Sequence, residues 1–172
     1  KKQASPTSPV GLKSNTTPRG AVLEALNPLT VTLGVQNASF VAQGVDWMPE
    51  QLYDIVRRAF HHRGFSFIRI VQRCPEFLPK MFEPWLHDPG KTLLLTHANG
   101  LQPSADVSRV YRNQREHDPL DLNAAREIAS VEDPIPVGIL YHNPEVPCYE
   151  DLRHAGQLRT PAYIRQGLDR EF

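Results

Sequence analysis

Cysteine is scarce: the 172 residues hold only two, Cys74 and Cys148. A secreted framework stapled by disulfides normally carries more, so a reducing cytoplasm is the expected setting. An excess of charge of either sign is also missing. Lys and Arg number 19, Asp and Glu number 19, and the formal net charge is zero. That removes the electrostatic case for nucleic acid or for an anionic membrane surface. No apolar run approaches the ~18 residues of a membrane span, and no secretory signal is visible. There is no P-loop, dinucleotide fingerprint, nucleophile elbow or Ser-His-Asp arrangement, and no internal repeat. An initiator Met is lacking as well. The chain opens on Lys1-Lys2-Gln3, which suggests a start in mid-protein.

What remains is an ordinary apolar fraction, 40%, and enough length to bury a core in one domain or two small ones. Residues 1 to 20 are rich in Ser, Thr, Pro and Gly, and by composition they read as an arm or linker. Val31–Gly34 and Ala38–Ala42 read as short extended pieces separated by a turn at Asn37. Pro49–Arg63 reads as a helix, with Leu52, Ile55, Val56, Ala59 and Phe60 forming one apolar stripe. Pro49 suits the first helical position and Glu50 the positive end of the dipole. Arg57, Arg58, His61, His62 and Arg63 crowd the end where cations are favoured, and Gly64 is the expected C-cap. His61 and His62, being adjacent, point to different sides and do not make a one-face metal pair.

Phe65–Val71 then forms an apolar run with Ser66 and Arg69 as its exceptions, as in a strand buried on both faces of a parallel sheet. Cys74 and Pro75 follow, at the carboxyl end where ligand crevices of open α/β sheets lie. Glu76–Asp88 reads as a loop with a short helical turn whose aromatics, Phe77, Phe82 and Trp85, dock on the sheet or on another subunit. Lys91–His97 reads as extended, Gly100–Asp118 as a polar surface hairpin or loop, and Asp121–Ser130 as a helix capped by Asp121. Val137–Tyr141 is a further strand, Tyr149–His154 starts a terminal helix, and 161–172 is a polar arm. His97 and His117 show no partner spacing. Taken from the residues alone, Cys74 reads as a buried, inert thiol, and Cys148 as structural.

Four stretches together resemble one family. AFHHRGFSFIRIVQRCP is similar to the A-x-x-H-x-G-F-S-F…Cys-Pro segment of the β subunit of 2-oxoacid:ferredoxin oxidoreductases. The opening KKQASPT resembles the family's loop T-K-G-Q-x-S-P-T, ASFVAQG resembles A-T-F-V-A-R-G, and PIPVGILY resembles P-I-P-I-G-x-x-Y. They occur in the family's order. The chain departs from the pattern at Lys2, which replaces a Gly, and at Gln43, which replaces an Arg.

The resemblance implies an α/β, thiamine-diphosphate-binding fold with a mostly parallel sheet, of which this chain is the C-terminal portion. Residues 1–149 would be part of that domain and 150–172 a tail suited to a contact between subunits. The implied reaction is oxidative decarboxylation of a 2-oxoacid, 2-oxoglutarate being favoured over pyruvate, to its acyl-CoA and CO2 with reduction of ferredoxin. Implied cofactors are thiamine diphosphate, Mg²⁺ and a [4Fe–4S] cluster, with most of their ligands outside this segment. The family's Gly-Asp-Gly, Asn-Asn and C-x-x-C motifs are absent here. Cys74 matches the last of four cluster ligands. Lys1, Gln3, Ser5 and Thr7 match the substrate and cofactor loop, with Lys1 facing a substrate carboxylate. Implied partners are an α subunit, ferredoxin, coenzyme A and the 2-oxoacid, in a dimer of αβ heterodimers. Two rivals come from other classes: a non-catalytic α/β subunit-interaction module, and an unrelated α/β ligand-binding domain in which Cys74 is only core.

Overall fold

The structure is a computed structural model, and it describes residues 3–76, 78, 80–98, 100–155 and 161–171. Lys1 and Lys2, from the expected substrate loop, and Phe77 lie outside the described residues.

The chain forms an α/β fold around one five-stranded, mostly parallel sheet. Its elements are α1 (Pro28–Thr32), β1 (Phe40–Val45), α2 (Pro49–His61), β2 (Ser66–Val71), α3 (Glu83–His87), β3 (Thr92–Thr96), α4 (Ala105–Val110), β4 (Gln114–Glu116), α5 (Leu122–Ala129), β5 (Ile135–His142), α6 (Tyr149–Arg153) and α7 (Pro161–Glu171). The strand order is β2-β1-β5-β3-β4. β1 pairs with β2 in parallel, and β3 pairs in parallel with both β4 and β5. The junction of β1 with β5 is antiparallel, with Phe40 opposite His142 and Gln43 opposite Gly138. Two parallel blocks therefore run in opposite directions and meet at β1–β5.

Both faces of the sheet are covered. Phe40 and Ala42 point to the side of α2 and pack with Ile55, Leu101 and Ile139. Val41 points to the other side and packs with Leu29 and Leu33 around α1 and with Ala125, Ile128 and Ala129 of α5. Strands so covered are apolar throughout, and every residue of β1 is buried. Asn27 and Asp121 begin their helices as side-chain caps: Leu29 N–H donates to the Asn27 carboxamide oxygen at 3.0 Å, and Asn123 N–H donates to Asp121 at 2.9 Å. The Asn27 amide also donates to the Ala129 carbonyl at 2.7 Å, tying α1 to the end of α5. A third cluster, at the carboxyl end of β1, joins Val45, Met48, Val71, Leu94, Ile135 and Val137, with Trp47, Phe82 and Trp85 packed on it. The docked aromatic turn after Cys74 is thus as the sequence suggests.

Several expectations are corrected. Val31–Gly34 is not extended: α1 runs to Thr32 and a turn follows, with Asn37 at φ +65° before β1. Helix α2 stops at His61, and its C-cap is His62, whose N–H donates to the Arg58 carbonyl, not Gly64. Its inner stripe is narrower than the periodicity implied. Ile55 and Gln51 are buried, whereas Val56 and Phe60 face outward, Phe60 with 83% of its surface exposed. The Phe65–Val71 run is an edge strand, half exposed, and not a strand buried on both faces. The buried strands are β1, throughout, and β5, up to Tyr141. Gly100–Asp118 is not a hairpin: it holds α4, capped by Ser104, and β4, a parallel edge strand beside β3.

Candidate functional site

At the carboxyl ends of β1 and β2 the N-terminal loop folds back over the sheet. Leu26 N–H donates to the Pro6 carbonyl at 2.8 Å, and Ser5 N–H donates to the Ser8 hydroxyl at 2.8 Å. The stretch that composition marked as a linker is therefore an internally bonded loop, and Ser8 within it is buried. Beneath it lies a cavity of about 210 Å³, lined among others by Thr7, Gln43, Arg69, Phe82, Trp85 and Glu132.

Gln43 and Arg69 are direct cross-strand partners in the β1–β2 pair, so their side chains share one face. Gln43 is buried; its amide donates to the Pro136 carbonyl at 2.6 Å. Its own oxygen, Oε1, has no hydrogen-bond partner among the described residues. Neither do the indole N–H groups of Trp47 and Trp85. Burial pushes the Arg69 guanidinium below its ordinary value, and the Glu132 carboxylate pushes it back up. It remains a cation, as a guanidinium does in proteins. No hydrogen bond or ion pair to it exists among the described residues, Glu132 acting only through space. Unmatched buried polar atoms are uncommon and call for an explanation. A half-buried cation on the same cavity wall as the Trp85 N–H can hold a carboxylate by charge-assisted hydrogen bonds.

Of the sequence-predicted site residues that are described, Thr7 alone lines this cavity. Ser5 braces it from behind, its hydroxyl 2.9 Å from that of Thr7, and Gln3 is exposed. Cys74 lies at the same end of the sheet but is not part of the cavity wall. It is half-buried and bridges in β fashion to Leu78, and it is not in a disulfide with Cys148. The Cys148 thiol donates to Glu150 at 3.0 Å in front of α6. Among the described residues no three His, Cys, Asp or Glu side chains are placed to share a metal. Sequence reasoning misses Arg69 as a site residue, although a signal is present: a cation interrupting an apolar strand.

The family model for the C-terminal part of the pyruvate ferredoxin oxidoreductase beta subunit matches residues 107–156. The chain is 28% identical over 164 residues to a 2-oxoacid:ferredoxin oxidoreductase subunit beta of Sulfolobus, covering 95% of this chain and 50% of that protein. It is 37% identical over 83 residues to the 2-oxoglutarate oxidoreductase subunit KorB of Mycobacterium tuberculosis, covering 48% of this chain and 22% of that one. Among solved structures it is similar to 2-oxoglutarate:ferredoxin oxidoreductase from Magnetococcus marinus, described with 2-oxoglutarate, coenzyme A and succinyl-CoA bound. There the TM-score is 0.63 and the identity 25%, over 96% of this chain and 52% of that one. The chain thus spans about half the length of the first of these relatives. These likenesses, like the four motifs, make the chain similar to the β subunits of 2-oxoacid:ferredoxin oxidoreductases.

Proposed function

We propose that this chain serves as part of the β subunit of an enzyme that oxidatively decarboxylates a 2-oxoacid to its acyl-CoA. Electrons would pass to ferredoxin, an α subunit would complete the assembly as a dimer of αβ heterodimers, and the cytoplasm would be the setting. Among the described residues no helix is long and apolar enough to cross a membrane. The substrate we favour is 2-oxoglutarate, since the KorB relatives and the similar solved structure carry it in their names. Pyruvate, named by the family model, is the second reading.

The observation that carries the proposal is the Arg69 guanidinium, unmatched on the wall of a cavity closed by the very loop whose motif implies substrate contact. Arg69 would take a substrate carboxylate. Phe82 and Trp85 would keep water from it, and the Thr7 hydroxyl would close the cavity from above. Lys1, as the motif implies, would meet a second carboxylate.

The implied cofactors do not fit this chain by itself. A [4Fe–4S] cluster takes four thiolates, and the chain has two cysteines, of which only Cys74 stands at the expected place. Cys74 would therefore supply one ligand of a cluster whose others come from elsewhere. The family's Gly-Asp-Gly and Asn-Asn motifs, which would hold Mg²⁺ and the diphosphate, are not in this sequence. The 150–172 tail is proposed as a contact between subunits, its helix α7 carrying Tyr163, Ile164 and Leu168 exposed.

The experiment is Arg69→Gln in the complete enzyme. Losing one charge-assisted carboxylate contact, about 1.5–3 kcal/mol, should raise KM for 2-oxoglutarate roughly 10–100-fold with kcat less affected. An unchanged KM would remove Arg69 from substrate binding. In the same complex, Cys74→Ser should abolish the β-subunit cluster signal in low-temperature EPR. An undiminished signal would return Cys74 to the core.

A further inference from the structure

At the end of the sheet opposite the Arg69 cavity, the sheet forks. The parallel pairing of β3 with β5 ends at Leu94 and Val137. Beyond that pair the two strands part: β3 runs on beside β4 to Thr96, and β5 runs on against β1 to His142. A crevice of about 800 Å³ lies at the fork, lined among others by Arg58 of α2, His97, His117, Leu120, Ile139 and His142.

Two histidine side chains bridge the parted strands. His97, the residue after β3, has Nδ1 3.2 Å from the His117 carbonyl. His117, the residue after β4, has Nε2 2.9 Å from the Ile139 carbonyl of β5. A carbonyl only accepts, so these two nitrogens carry the protons. The rings meet edge to face, 4.7 Å between centroids. One backbone bond runs alongside them, from the His142 N–H to the Pro119 carbonyl at 2.8 Å.

The second nitrogen of each ring, Nε2 of His97 and Nδ1 of His117, is buried and has no hydrogen-bond partner among the described residues. His97 as a whole is only 2% exposed. In a neutral ring that nitrogen is a lone pair sealed from water. In a protonated ring it is a charged N–H with no acceptor, which is far more costly to bury. The surroundings are adverse to charge as well. Burial first, and then His117, Arg58 and His142, hold His97 below its ordinary 6.5, with the hydrogen bond to the His117 carbonyl acting the other way. His62, at the end of α2, stands 5.0 Å from His142 and adds a further imidazole to the group. The carboxylates nearby are Glu116 and Asp118 in the crevice and Asp54 of α2 in the adjoining opening, and Asp118 already accepts from the Leu120 N–H at 2.9 Å. None of the three is among the groups that favour a proton on His97.

We propose that His97 and His117 form an acid-sensitive clamp: neutral, they hold the ends of β3 and β4 to β5, and a proton on His97 opens the fork and the crevice with it. The closed form excludes the proton, and the open, wetted form takes it at the ordinary value. The clamp is therefore at full strength above about pH 6.5 and weakens as pH falls below it. It belongs to the chain itself and does not rest on the proposed reaction.

The test is amide hydrogen exchange, followed by NMR on the intact protein at pH 7 and pH 5 and expressed as protection relative to the free-chain rate. With one proton taken up on opening, the His142 N–H, which crosses the fork, should lose protection about 25-fold between the two. The Asp46 N–H, bonded to the Val71 carbonyl at 3.1 Å at the far end of the sheet, should keep its own. His97→Asn retains a donor for the His117 carbonyl but takes no proton, and should hold the loss at His142 below about threefold. Because that variant can misfold, the imidazole nitrogen shifts of the unaltered protein give a second readout. At pH 7 His97 should be the Nδ1–H tautomer and His117 the Nε2–H tautomer. The reverse tautomers, unchanged protection at His142, an equal loss at Asp46, or a His97→Asn variant with the full loss would overturn the proposal.

Discussion

Gly138 sits in the middle of β5, in the motif PIPVGILY, and its replacement by alanine tests the junction on which the sheet depends. Its φ is +140°, a region that L-residues rarely adopt. An added Cβ would lie 2.8 Å from the Leu95 Cβ and 3.1 Å from the Leu95 carbonyl oxygen. Neither atom is the far end of a flexible side chain, and Leu95 is fully buried, so the clash has no cheap relief. Backbone strain contributes about 1–3 kcal/mol and overpacking about 1–3 kcal/mol. Gly138→Ala should therefore lose roughly 2–6 kcal/mol in urea unfolding at unchanged m. Gly11→Ala separates the two contributions. Gly11 also has positive φ, +82°, but nothing stands within 4 Å of its added Cβ. It should lose only about 1–2 kcal/mol. If the two variants lost equal stability, the close approach of β3 to β5 would carry no energy. If Gly138→Ala matched the unaltered protein within about 0.5 kcal/mol, the φ assigned to Gly138 would be wrong.

Three further outcomes can be measured alongside. Ile55→Ala should cost about 2–5 kcal/mol by loss of packing, while Phe60→Ala on the outer side of the same helix should stay within about 0.5 kcal/mol; denaturation midpoints distinguish them. Burial holds His62, His97 and His142 below their ordinary 6.5, so as pH falls the unfolded chain takes up these protons first. Stability should be flat above about pH 6.5 and decline as pH falls through the lower folded values, and thermal midpoints constant from pH 7.5 to 5 would contradict this. Asp121→Ala should cost about 0.5–2 kcal/mol through loss of the α5 cap, with thermal unfolding as the readout.

Where a sequence signal is local, the structure follows it. The Asp121 cap, the Pro49 start of α2 and the apolar centres of β3 and β5 depend on neighbours along the chain. What depended on tertiary placement was not legible. Phe65–Val71 has the composition of a central strand, yet only strand order decides that β2 has one neighbour. Phe60 falls on the right period for the α2 stripe but one step outside the contact with the sheet. β4 reads Gln-Arg-Glu and has no apolar pattern at all, because an exposed edge strand needs none. The loop motif pointed to Thr7, which lines the cavity. Arg69 stood out only as an interruption, and its pairing with Gln43 required the β1–β2 register.

The histidines show why sequence distance misleads here. His97 and His117 are apart in the chain, in the turns after two different strands, and nothing in their spacing joins them. The parallel register of β3 with β4 does, since it sets Thr96 beside Glu116 and so the next residues beside each other. The antiparallel junction of β1 with β5 has a larger consequence. In a wholly parallel sheet all strands end on one side, and ligand crevices collect there. In this sheet β1 and β2 end at the Arg69 cavity, whereas β3, β4 and β5 end at the histidine crevice. Each end of the sheet thus gathers loops that follow strands. A cavity lined by Arg69 lies at one end, and a crevice lined by His62, His97, His117 and His142 with Arg57 and Arg58 lies at the other.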